Sequence, residues 1–280
     1  MASKISAAVF LCAFLMTAVS FAAGDGEKWI ASQPKLYTVK ERARFNRFLG
    51  ELHRRFPTLE GRMRALALAR VGTPYSLGCL GEEKPPDQKP FFRVDVTDCT
   101  VFVLTTLAMA HGSTWDEARE LMKKLNYHNP PMVGTKTVSY QNRQHFTYER
   151  LHSCPFFADI TASLAAPSVC GKATVTLNRK SDGTKLLDIP WEKEVTALYI
   201  PAAQVDEKLV AKLPSAAGVA FVRKKNFSLG IVVSHEGLVI DRKWLFHANS
   251  ISKKVEKRSF LDYLSENSDY FDGVIFSRFY

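Results

Sequence analysis

Asp95-Val-Thr-Asp-Cys99-Thr-Val-Phe-Val-Leu-Thr-Thr-Leu-Ala-Met-Ala110 enters on polar residues, carries one cysteine, and then runs almost unbroken apolar from Val101 to Ala110. The pattern predicts a buried helix with a thiol in its first turn. Thr97 or Asp98 caps the free N–H groups of that turn, and the helix dipole there favours negative charge. A thiol at Cys99 is therefore expected to ionise more easily than in water, which is the chemistry of a nucleophile. The competing reading is packing, because free cysteine is among the most buried residue types.

Before this stretch, Ala43, Phe45, Phe48, Leu49, Leu52 and Phe56 recur at helical spacing and stop at Pro57, predicting a surface helix over residues 39–55. A second helix is expected from Met63 to Arg70. Val71 to Gly81 is a loop punctuated by glycine and proline, continued by a proline-rich segment over 82–90. Cys79 lies in it and is the rival to Cys99 as a reactive thiol, ranked lower because no helix start follows it. After the Cys99 helix, His111-Gly-Ser-Thr114 ends one helix and caps another over Trp115 to Leu125. Arg143 and His145, two apart on an extended chain, are placed to face a pocket together, although periodicity alone favours a structural role for His145.

The last part of the chain is strand-rich. Lys172 to Asn178 and Lys185 to Ile189, around an Asp-Gly turn, read as a hairpin. Val195–Ile200, Gly218–Arg223, Leu229–His235, Gly237–Ile240, Trp244–Ala248 and Gly273–Arg278 read as strands, and Val255 as the start of another. The expected fold class is α+β, with helices first and an antiparallel sheet after. Residues 1–22, with Lys4 before an apolar run and small residues at its end, read as a signal peptide; 23–60 as a helical extension; 61–280 as the main domain with the 172–188 hairpin inserted. The mature product is expected to be periplasmic or secreted, without a membrane-spanning segment.

The net charge of +10 suits an anionic partner. Export and the absence of any basic stripe interleaved with aromatics argue against nucleic acid and for a cell-wall polymer or membrane surface. Of the cysteines beyond the signal, Cys154 and Cys170 enclose a short loop and are expected to pair. No C-x-x-C spacing occurs, so no metal or other cofactor is expected.

His235 and His247 stand nearly symmetric about a turn near Asp241-Arg-Lys243, which puts both on one face of a hairpin. With a cysteine in the first turn of a preceding helix, they make a Cys–His–His relay. At this point the residues carry a likeness. Gly72-Thr-Pro-Tyr75, Asp98-Cys99-Thr-x-Phe102-Val, Ser234-His235-x-Gly237-Leu-Val-Ile and His247-Ala-x-Ser250, in this order, resemble the NlpC-type papain-like cell-wall cysteine peptidases. The chain is most similar to their N-acetylmuramoyl-L-alanine amidase-like branch, over roughly Ala67 to Tyr280.

The resemblance implies Cys99 as nucleophile, His235 as base, His247 as the orienting third member and Tyr75 as a substrate-binding group, with Arg143 and His145 as further binding residues. It implies a papain-like hydrolase acting on amide bonds of peptidoglycan or muropeptides, as a peptidase or a muramoyl-alanine amidase. The alternative is a non-catalytic cell-wall binding protein on the same fold. Two departures stand out: Cys79 interrupts the loop after Tyr75, and Glu236 occupies a place more often apolar, beside His235.

Overall fold

The computed structural model describes residues 23–81 and 90–280; the expected signal peptide and residues 82–89 of the proline-rich segment lie outside them. The helices come first: α1 (Ala23–Ser32), α2 (Arg42–Arg55), α3 (Leu59–Ala69), α4 (Cys99–His111), α5 (Trp115–Asn126) and α6 (Thr147–Ser153). After β1 (Phe157–Asp159) and the one-turn α7 (Thr161–Leu164) come β2 (Gly171–Leu177) and β3 (Lys193–Pro201). The chain ends with α8 (Glu207–Val210), β4 (Ala216–Val222), β5 (Val233–Ile240), β6 (Trp244–Asn249), β7 (Lys254–Ser259), α9 (Phe260–Glu266) and β8 (Gly273–Phe279). The strands form one sheet in the order β2-β3-β8-β4-β5-β6-β7, with β1 against β8. Every pairing between these strands is antiparallel, so the expected α+β class holds.

Helix α4 is the centre of the molecule. Asp98 caps it, its side chain accepting from the Val101 N–H at 2.8 Å, and every residue from Val101 to Ala110 is buried. Two of those are threonines, which an apolar core tolerates only if their hydroxyls are bonded. Thr105 and Thr106 donate back to the carbonyls of Val101 and Phe102, one turn earlier. The buried Arg70, at the end of α3, donates to the Phe102 carbonyl at 2.9 Å and to both threonine hydroxyls. One core lies between this helical layer and the sheet and includes Ile30, Leu36, Phe45 and Leu52 of the N-terminal extension. The opposite sheet face carries a second core around Phe221, Val239, Leu245, Phe260 and Phe276.

Several expectations are corrected. Residues 172–188 are not a hairpin on their own, because β2 pairs along its whole length with β3, from Gly171↔Tyr199 to Leu177↔Lys193. The intervening loop does contain the tight turn, closed by Lys180 N–H to Thr184 O at 2.8 Å with Gly183 at φ +83°. Buried Asn178, itself at φ +64°, then redirects the chain by accepting from Leu187 N–H at 2.7 Å and donating to Trp191 O at 3.0 Å. Leu229 to Val232 is a left-handed turn at Gly230 rather than a strand. Cys154 and Cys170 are both free: Cys154 packs in the core under the helices and Cys170 against the core of the other sheet face. Helix α6 was not anticipated, since its seven residues are too few to establish a period.

Candidate active site

Cys99 takes the first position of α4, as expected, and faces a cavity of about 260 Å³. The same cavity is lined by Thr100, Phe146, Leu186, Ile231, His235 and Glu236 among others. The thiol lies beside the main chain of Glu236, so it rests against β5 next to His235. The β5–β6 ladder runs only from Leu238↔Phe246 to Ile240↔Trp244 and stops short of this point.

The two histidines meet as the hairpin symmetry predicted. His235 Nε2 lies 2.8 Å from His247 Nδ1, and His247 is fully buried. Their rings are held by aromatic packing: His235 is stacked on Phe221 and Phe271, and His247 is packed against Tyr263. Gly237 is needed here, because a Cβ at that position would meet the Phe246 carbonyl oxygen at 2.8 Å and His247 Cβ at 3.0 Å. Burial, reinforced by the neighbouring His247, lowers His235 to about 3. Burial, reinforced by Arg258, lowers His247 to about 4. Both rings are therefore neutral at pH 7.

The expected easy ionisation of Cys99 is overturned. Burial, joined by the negative charges of Asp98 and Glu236, pushes the thiol up to about 12. Asp98 is a charge as well as a helix cap, and Glu236 is distant in sequence. The resting pair is a neutral thiol and a neutral imidazole.

Glu236 points away from the histidine rings into a closed polar cluster. Arg150, fully buried on α6, places Nη2 at 2.7 and 2.8 Å from its two oxygens, while Thr100 and Thr147 donate at 2.6 and 2.9 Å. Burial alone would raise this carboxyl; the Arg150 charge and the hydrogen bonds from Thr100, Arg150 and Thr147 outweigh it and hold the group ionised.

Tyr75 is near enough to Cys99 to feel its charge but is not among the residues lining the cavity. Main-chain bonds from Tyr75 N–H to Lys253 O at 2.9 Å, and from Ser76 N–H to Thr97 O at 2.9 Å, tie its segment to the entry of α4. Burial, with the nearby Cys99, Asp98 and Cys79, pushes the phenol up to about 12, so it keeps its proton. His145 lines the cavity, its Nε2 bonded to Tyr140 O at 2.8 Å and its ring lowered to about 4 by burial.

Arg143 does not face the cavity with His145, contrary to expectation. It is 1% exposed, stacks over Tyr127 and reaches Leu80 O at 3.4 Å. With the Asn126 amide turned to receive it, Nη2 and Nε donate at 2.9 and 3.1 Å. It is a strut for the loop, because Tyr127 and Arg143 are bridged and the side chain follows the buried side of that bridge. Cys79 is buried in the core under α4 and is absent from the cavity wall.

Sequence reasoning missed Thr100, Thr147 and Arg150, which become partners only when α4 and α6 both meet Glu236 on β5. It also missed the cavity wall of Leu186 and Leu187, supplied by the β2–β3 loop.

No curated protein matches the chain. Among solved structures, a Legionella pneumophila protein superposes with a TM-score of 0.66 at 22% identity, over 85% of this chain and 97% of the other. An N-acetylmuramoyl-L-alanine amidase from Bacteroides uniformis superposes with a TM-score of 0.61 at 20% identity, over 79% of this chain and 99% of the other. At these identities the likeness speaks for the fold. The sequence itself matches a family model over residues 65–273, which covers α4, the cavity and both histidines. The chain belongs to the AmiA-like family, the N-acetylmuramoyl-L-alanine amidase-like proteins.

Proposed function

We propose that this chain is an exported cysteine hydrolase of the papain-like, NlpC type that cleaves an amide bond in peptidoglycan, within the stem peptide or at the muramoyl–alanine junction. The observation that carries the reading is the 2.8 Å contact between His235 Nε2 and His247 Nδ1, with His235 on the wall of the cavity that Cys99 faces. Family membership supports the substrate class.

The arrangement of Cys99, His235 and His247 supports one order of steps. Nε2 of His235 is engaged by His247, so Nδ1 is the nitrogen left to act as base. The Cys99 thiol is neutral at rest, so its proton passes to His235 Nδ1 as sulfur attacks the amide carbonyl carbon. The carbonyl oxygen becomes an oxyanion beside the Cys99 main-chain N–H at the start of α4, with the protonated Tyr75 hydroxyl as a second donor. Collapse breaks the C–N bond, and the leaving amine takes the proton from His235. Water then gives a proton to His235 and attacks the thioester, releasing the acid and restoring the thiol.

The test is mass spectrometry of purified muropeptides incubated with the reduced mature protein beside Cys99→Ala. A mass change with wild type alone is expected, and the fragment names the bond. No change with either protein would move the conclusion to a non-catalytic wall-binding protein; equal digestion by both would remove Cys99 from the mechanism.

A further inference from the structure

The relay does not end at His247. In the β6–β7 ladder His247 stands directly opposite Glu256, and its Nε2 lies 3.2 Å from Glu256 Oε1. That nitrogen is buried and has no aligned hydrogen-bond partner, so the carboxylate is the acceptor nearest to an otherwise unsatisfied donor. The carboxylate is itself held in place: Asn249 Nδ2 donates to Oε1 at 2.7 Å and Ser252 Oγ to Oε2 at 2.8 Å. Among the described residues, the other titratable groups near the two rings are Cys99, Tyr263, Arg258, which opposes charge on His247, and Glu236, whose carboxylate is taken up by Arg150.

We propose that Glu256 is a positioning residue of the relay: its carboxylate keeps the His247 proton on Nε2 and thereby leaves His235 Nδ1 unprotonated, ready to take the thiol proton. The reasoning is one of tautomers. Each neutral imidazole carries one N–H, and the contact between His235 Nε2 and His247 Nδ1 needs one proton and one lone pair. If His247 is protonated on Nε2, facing a carboxylate that can only accept, its Nδ1 is a lone pair. His235 must then donate from Nε2, and its Nδ1 is basic. If His247 were instead protonated on Nδ1, His235 would accept on Nε2 and carry its proton on Nδ1, where it could not receive another from Cys99. When His235 becomes an imidazolium in the reaction, the same carboxylate offsets the charge through His247.

The inference rests on the proposed cysteine chemistry, but its test reads independently of turnover. Ring tautomers of His235 and His247 are read by long-range 1H–15N NMR at pH 7 in the full mature chain, for wild type, Glu256→Gln and Glu256→Asp. kcat and KM on muropeptides are measured alongside. Wild type is expected to show both histidines protonated on Nε2. Glu256→Gln presents an amide that can donate to His247 Nε2, and is expected to move both protons to Nδ1. Its kcat should fall roughly 10²-fold or more, the scale of losing a general base, with KM within about twofold. Glu256→Asp keeps the acceptor and should retain the wild-type tautomers and most of the kcat. Wild-type His247 protonated on Nδ1 overturns the proposal without any variant, and so does a Glu256→Gln protein with unchanged tautomers. Wild type that turns over no muropeptide while showing the expected tautomers would count against the proposed function and leave this assignment standing.

Discussion

Strand β5 carries His235 and Glu236 side by side, and the pleat sends them to opposite faces. Glu236 is enclosed by Arg150, Thr100 and Thr147, 4% exposed, with its charge matched inside the cluster. On the other face, His235 reaches His247, and beyond it Glu256, whose side chain is 19% exposed and meets a ring nitrogen without an aligned partner. Nearness in sequence to His235 thus singles out the wrong carboxylate. Glu236 is the neighbour of His235 and serves to lock α4, α6 and β5 together; Glu256 is 21 positions away and is joined to the relay by strand register.

The contrast is broken most strongly at the sealed pair. Arg150→Met leaves the Glu236 charge buried without its counter-ion, and should cost about 3–5 kcal/mol in a denaturant melt. The Arg150→Met/Glu236→Gln double variant should recover a large part of that loss. A single-variant cost near zero would mean that the pair is not sealed.

The relay face is sharpened by pH. His235 and His247 have folded-state values lowered to about 3 and 4 from an ordinary value of 6.5, and His145 behaves similarly, at about 4. Below pH 6.5 the unfolded chain binds protons that the folded chain refuses, so stability present above that pH is lost as pH falls toward the folded values. Between pH 6.5 and 5, above the carboxylate range, the melting temperature should decline, and His247→Asn should flatten that slope. A melting temperature that stays level over this window in wild type would contradict neutral, buried rings. The smallest effect belongs to the outer support of Glu256: Ser252 is exposed, and Ser252→Ala should change stability by no more than about 0.5 kcal/mol in the same denaturant melt.

Much of this site could be read from the chain before the fold was known. The Cys99 helix announces itself by its cap and apolar run, and the two histidines by their symmetry about a short turn. Both signals are local. What escaped notice depends on packing. Arg143 and His145, two apart, would share a face on an extended chain, but the loop buries one and aims the other at the cavity. The ionisation of Cys99 was misjudged because the charge that matters besides Asp98 comes from Glu236, across the α4–β5 interface. Glu256 sits in Lys254-Val-Glu-Lys-Arg258, which reads as an ordinary charged edge until the register puts it opposite His247.

The central claim is that Cys99 forms the acyl intermediate, and rapid-quench mass spectrometry of the protein during muropeptide turnover tests it most directly. The account predicts an adduct with the mass of the acyl fragment on the peptide containing Cys99, present in wild type and lost in Cys99→Ala. Continued turnover by Cys99→Ala, or an adduct mapped to Cys79 or Cys170 instead, would contradict it.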